Sequence, residues 1–193
     1  MEKQSLINVI QSGIPISMER TQDIVAHFNK IDIHKNDFFL KEGSVSNNYL
    51  FLENGLMRAF TFDTNGDEIT TAFYSNNQFV FEVASLFQRI PSKENIQAIE
   101  DCQGWSLTFD SLQTLFHTIP EFREFGRGIL VKGFISFKQR SLSLINETAE
   151  QRYENLMKER PEILQRAPLK HIASYLGVTD SSLSRIRRQF LKK

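Results

Sequence analysis

A single cysteine in 193 residues, Cys102, has no partner for an intramolecular disulfide. The fold must then be held by packing alone, and a reducing cytoplasm is the expected setting. No run of about 18 apolar residues occurs, which argues against a membrane-spanning helix. The opening stretch MEKQSLINVIQSG lacks a sustained apolar core and a small-residue cleavage site, and is not expected to act as a signal peptide. The four histidines, His27, His34, His117 and His171, are scattered, without the His-x-His or Glu-x-x-His spacing of a β-roll metal centre. They are expected to be surface or hydrogen-bonded side chains, with no metal bound. No Gly-Lys-Ser/Thr phosphate loop, nucleophile elbow or paired-carboxylate signature occurs, so no catalytic residue is assigned and enzyme activity is not expected.

What is present is an ordinary globular composition, 40% apolar, with 17 phenylalanines that suit a β-rich core. The net charge of zero hides an asymmetry. Residues 148–193 hold ten Lys/Arg against five acids, leaving 13 basic and 18 acidic residues in 1–147. A polyanionic partner should therefore meet the C-terminal end.

Three regions follow along the chain. After a short helix over 21–28, the first region is strand-rich. Phe38-Phe39-Leu40 ends at Gly43, Tyr49 to Leu52 ends at Asn54-Gly55, and 56–62 alternates with the two-residue period of a half-buried strand. Asn65-Gly66 predicts a tight type I′ hairpin returning along 68–74, and 97–108 suggests a strand pair around Gly104. Met18, Met57 and Met157 are expected in the core, and Cys102 in a strand. Pro120 with Glu121 and Glu124 then marks a helix start. From Phe122 to Ile145 apolar residues recur at helical spacing on two sides, through Phe122, Phe125 and Ile129, and through Leu130, Phe134 and Phe137. Such a helix is too apolar to stand alone. One side is expected on the β-region and the other on a second copy, with Gly126, Gly128 and Gly133 permitting close approach.

The third region carries the function. A helix over 148–160 is expected to stop at Pro161, and a new pattern begins after Pro168. Ala173 can sit where two helices cross, and Gly177, four positions later, tolerates the turn. Thr179 or Asp180 can cap the restarting helix, and Leu183, Ile186 and Phe190 return to a core. At 100° per residue, Ser181, Ser184, Arg185, Arg188 and Lys192 fall on the opposite side, a short-polar and basic face suited to a major groove. These features in register predict a helix-turn-helix that binds duplex DNA.

Residues 172–179 (Ile-Ala-Ser-Tyr-Leu-Gly-Val-Thr) and 183–187 (Leu-Ser-Arg-Ile-Arg) resemble the helix-turn-helix of the cyclic-AMP receptor / fumarate-nitrate regulator (CRP/FNR) family, and the order of parts matches over about 30–190. The resemblance implies an α+β protein with an N-terminal β-roll (a double-stranded β-helix of the cyclic-nucleotide-binding kind) over 1–120, a dimerisation helix over 121–147, and a helix-turn-helix domain over 148–193. It implies a homodimer that binds a pseudo-palindromic operator in double-stranded DNA and works on RNA polymerase, with no membrane partner. By position, Asp180, Ser181 and Arg185 fall at the family's base-reading places, while Thr179, Ser182 and Arg188 fall at phosphate contacts. Two departures stand out. Asp180 replaces a basic or larger polar residue, and the short spacing from Arg160 to Leu169 leaves the β-hairpin wing missing or reduced.

The family's cyclic-nucleotide signature is also altered. Glu82 matches the ribose-binding acid, but Phe81 replaces the preceding glycine and Ser92 stands where an arginine should meet the phosphate. Lys93 or Arg89 could bring charge nearby, without the guanidinium fork a phosphate needs in that place. The resemblance thus points to Glu82, Ser92 and Lys93 as the effector-binding positions, with a ligand other than cyclic AMP, and no cofactor is expected. The iron–sulfur sensors of the family need several N-terminal cysteines, absent here. The alternative is a ligand-binding roll that acts through protein contacts without binding DNA.

Overall fold

The computed structural model describes residues 2–190 of the chain. Helices α1 (Gln4–Gly13) and α2 (Met18–Ala26) precede eight strands: β1 (Asn29–Ile33), β2 (Phe38–Leu40), β3 (Asn48–Asn54), β4 (Met57–Phe62), β5 (Glu68–Tyr74), β6 (Gln78–Val80), then, after α3 (Val83–Gln88), β7 (Asn95–Ala98) and β8 (Cys102–Thr108). Six helices follow among the described residues: α4 (Phe109–Thr118), α5 (Pro120–Asn146), α6 (Ala149–Glu159), α7 (Pro161–Arg166), α8 (Leu169–Tyr175) and α9 (Asp180–Phe190). Among the described residues no helix is long and apolar enough to cross a membrane.

The strands form two antiparallel four-stranded sheets, in the orders β1-β8-β3-β6 and β2-β7-β4-β5. Residues Tyr49 to Leu52 are all buried because both faces of β3 are covered. Tyr49 and Phe51 face a core shared with α1, α2, α4 and the start of α5, including Leu6, Ile10, Phe28, Trp105 and Phe122. Leu50 and Leu52 face the interior between the sheets, with Met57, Val80 and Ile96. The continuous apolar run is thus a strand buried on two sides. Gly104 lies inside β8 and not at a turn. A side chain there would fall 2.2 Å from the Phe51 carbonyl, so the close pairing of β8 with β3 requires glycine. This corrects the expected strand pair around Gly104: β7 and β8 are neighbours in sequence but lie in different sheets.

Other expectations shift in detail. Only Gly66 has positive φ in the β4–β5 connection, so the turn is not type I′. Asp63 closes it instead, its carboxylate accepting from the amides of Asn65 and Asp67. Met57 is buried and Cys102 opens β8 in the core, but Met18 and Met157 are exposed. The N-terminal helix starts at Met18, where Ser17 accepts from the Arg20 amide, and α1 adds a second helix before it.

Pro120 occupies the first turn of α5, as its missing N–H allows. The 27-residue helix is roughly 40 Å long. Its first third packs on the roll: Phe122 and Phe125 are buried, and Gly126 lies against the ring of Phe116. Within the single chain, a Cβ at Gly128 or Gly133 would meet nothing within 4 Å. Beyond Ile129 the apolar side chains are exposed, with Phe134 at 68% and Phe137 at 69%. Thr148 and Gln151 form a reciprocal capping box that starts α6. Pro161 ends one helix as expected but also opens another, α7, in the span where a β-hairpin wing would lie.

Candidate nucleic-acid interface

Helices α6 to α9 share a core built from Tyr153, Leu156, Ile163, Ile172, Ala173, Leu176, Leu183 and Ile186. Ala173 is 1% exposed, and its carbonyl accepts from the Val178 amide across the turn. Gly177 has φ +67°, the left-handed conformation that glycine adopts without strain. Thr179 provides the cap, its hydroxyl accepting from the Ser182 amide at 3.3 Å. Asp180 becomes the first residue of α9 and places a carboxylate at the positive end of the helix dipole. This accounts for an acid at the start of α9.

The faces of α9 separate as the periodicity requires. Leu183 and Ile186 are buried, whereas Asp180, Ser181, Ser184, Arg185 and Arg188 are exposed and Ser182 is half-buried. Among the described residues no carboxylate forms an ion pair with Arg185 or Arg188. Thr179 is exposed beside them, its hydroxyl also bonded to those of Ser181 and Ser182. Lys192, the remaining member of the expected face, lies outside the described residues.

The helix-turn-helix is not separate from the roll. Leu56, Phe73 and Ile99 enter its core, and α8 lies along β5. Ser174 accepts from the Thr70 amide at 3.2 Å and donates to the Thr70 hydroxyl at 3.0 Å. Arg58, 3% exposed on β4, donates to Nδ1 of His171 at 2.8 Å and to Glu68 at 2.6 Å, and stacks on Phe60. Burial and the adjacent Arg58 guanidinium lower the His171 pKa to about 4, so the ring is neutral and free to accept. Arg166 pairs with Glu100, Arg152 donates to the Leu176 and Glu147 carbonyls, and Arg140 of α5 donates to the Tyr175 carbonyl at 2.8 Å while stacking on its ring. Sequence reasoning missed these arginine contacts. Only Arg58 carries a local signal, a charge inside the apolar strand Met57–Phe62. Of the histidines, His27, His34 and His117 are exposed as expected, and no cluster suited to a metal ion occurs among the described residues.

The expected effector positions are otherwise engaged. Both carboxylate oxygens of Glu82 cap α3, accepting from the amides of Ala84 and Ser85. The Ser92 hydroxyl is buried and turned onto the backbone of Glu94. Lys93 is exposed. Arg89 donates to the Ser46 carbonyl and the Asn47 side chain over the ring of Phe109. Glu94 lies half-buried near Glu82, its carboxyl raised by burial and by that neighbouring acid. A cyclic phosphate placed here would meet two acids and no free guanidinium, so the residues present do not fit one.

Residues 30–118 match the cyclic nucleotide-binding domain family. Among solved structures, the c-di-GMP-responsive global regulator CLP of Xanthomonas campestris superposes with a TM-score of 0.72 at 15% identity, covering 91% of this chain and 92% of that one. The fold is that of the CRP/FNR regulators. FixK2 of Bradyrhizobium japonicum (TM-score 0.71, 17% identity, 86% and 85% covered) and the catabolite activator protein of Thermus thermophilus (0.58, 14%, 92% and 85%) share this CRP/FNR architecture from roll through long helix to C-terminal helices. No curated protein matches the sequence.

Proposed function

We propose that this chain is a homodimeric transcription regulator that reads duplex DNA with α9. The observation that carries the reading is the outward face of α9. Arg185 and Arg188 stand exposed, with no carboxylate paired to them among the described residues, on a helix whose other face is anchored by Leu183 and Ile186. In this reading Arg185 contacts guanine O6 and N7, Asp180 and Ser181 contact neighbouring bases, and Thr179, Ser182, Ser184 and Arg188 approach bases or phosphates along the same ridge. The domain boundaries follow the function: a roll over 1–120, a dimerisation helix over 121–147 whose exposed phenylalanines meet those of a second copy, and a DNA-binding unit over 148–193. RNA polymerase is the protein partner that the CRP/FNR likeness implies. The acids around Glu94 and the closed Ser92 support an effector other than a cyclic nucleotide.

Selection of bound duplexes from a random pool tests the proposal. Enrichment of a palindrome with half-sites about one helical turn apart is the expected outcome. Affinity should fall steeply with salt as phosphate contacts release counterions. A pool that yields no palindromic motif would remove sequence-specific reading by a dimer.

A further inference from the structure

The first helix of the helix-turn-helix, α8, has two faces in use. Ile172, Ala173 and Leu176 turn into the core shared with α6, α7 and α9. His171, Ser174 and Tyr175, three and four positions apart, lie together on a side that meets the roll. Each has a partner there: Arg58 of β4 for His171, Thr70 of β5 for Ser174, and the ring of Phe73 of β5 for Tyr175, at 5.1 Å between centroids. Arg58 is the demanding member of this contact. Its neighbours Met57 and Ala59 face the interior between the sheets, so its own side chain leaves the opposite face of β4. A cation buried there is costly unless partners meet it on several sides. Glu68, Gln97 and the Phe60 ring do so from within the roll. With the guanidinium fixed by the roll, the bond from its Nη1 to His171 dictates where α8 can lie. α9 inherits that direction through the tight turn at Gly177, where the Val178 amide donates to the Ala173 carbonyl. α5 and α6 are joined by Glu147 and Thr148, both extended, so no continuous helix aims the C-terminal unit. Its seat on the roll takes that role.

We propose that Arg58, a residue of the roll, is a positioning residue for DNA reading: through His171 it sets the direction in which α9 is presented. This role rests on the reading of the chain as a dimeric DNA-binding regulator. It adds a determinant that touches neither base nor phosphate.

Binding of the full chain to its selected operator, and to versions with one or two base pairs added or removed between the half-sites, tests the role. Each added pair turns one half-site by roughly 35° relative to the other. A dimer whose recognition helices are held in one direction should lose about tenfold or more in affinity across this series. Arg58→Gln should bind the best spacing more weakly and flatten the series to within about threefold, since recognition helices free to turn follow the half-sites. His171→Leu should do the same while Arg58 keeps Glu68, which covers the case in which Arg58→Gln fails to fold. His171→Asn offers an amide oxygen in place of Nδ1 and should restore the spacing preference. A variant that is merely less stable lowers the active fraction and leaves the ratio of affinities across spacings unchanged. A flat series for the wild-type chain, a preference that survives His171→Leu, or one lost equally in His171→Asn would each overturn the role of Arg58 alone. A wild-type chain that selects no operator would sink the regulator reading, and this role with it.

Discussion

Side chains on α9 divide by what they can distinguish. Arg185 presents a planar fork, which suits two acceptors on one base. Arg185→Ala is expected to relax preference at one base pair per half-site, by about 1–3 kcal/mol of discrimination, in a competition series over single-base operator variants. Arg188, proposed to contact a phosphate, should behave otherwise. Its alanine variant should weaken all sequences alike and reduce the salt slope by about one. A second residue-scale effect belongs to His171, whose folded pKa of about 4 lies below the ordinary value of 6.5. The unfolded chain therefore binds a proton at His171 between those values and the folded chain does not. The stabilisation from a neutral ring is complete above pH 6.5 and is lost as pH falls toward 4. Urea unfolding between pH 7 and pH 4.5 should show this slope, and His171→Gln should flatten it. An unchanged slope in the variant would mean that other groups dominate.

The turn between α8 and α9 works as an element because one residue can adopt φ +67°. Gly177→Ala forces a side chain into that left-handed region and sets its Cβ 3.3 Å from Leu144 of α5. A loss of about 1–2 kcal/mol on urea unfolding is expected, with operator affinity falling in parallel because α9 is re-aimed. The α7 insertion shows a related economy. Pro161 cannot continue α6, but its fixed φ suits the first turn of a new helix, so the six-residue α7 spans most of the link to α8 without a hairpin.

At the scale of the molecule, the exposed half of α5 is the feature that a lone chain does not explain. Phe134, Phe137 and Ile145 leave a long apolar face in water, of the kind that marks an association surface. Phe134→Ser with Phe137→Ser should shift sedimentation from dimer to monomer, leave the circular dichroism unchanged, and lower operator affinity steeply as paired half-sites are lost. A variant that still sediments as a dimer would place the interface elsewhere.

Local patterns determined a large part of this protein. The periods of the strands and of α5, the alanine–glycine spacing at the turn and the basic face of α9 are short-range properties, read within about twenty residues of one another. The chain could not reveal by itself what its distant parts do to each other. Gly104 resembled a turn residue until β3 came to lie against it, and Glu82 resembled a ligand until the amides of α3 claimed its oxygens. Arg140 and Arg152 carried no local signal in the sequence, and their roles were set only when the carbonyls of Tyr175, Leu176 and Glu147 came to lie against them. In each case the deciding partner is a backbone or side-chain group whose position only the tertiary structure sets, because a polar group's role depends on what remains unsatisfied when water is withdrawn.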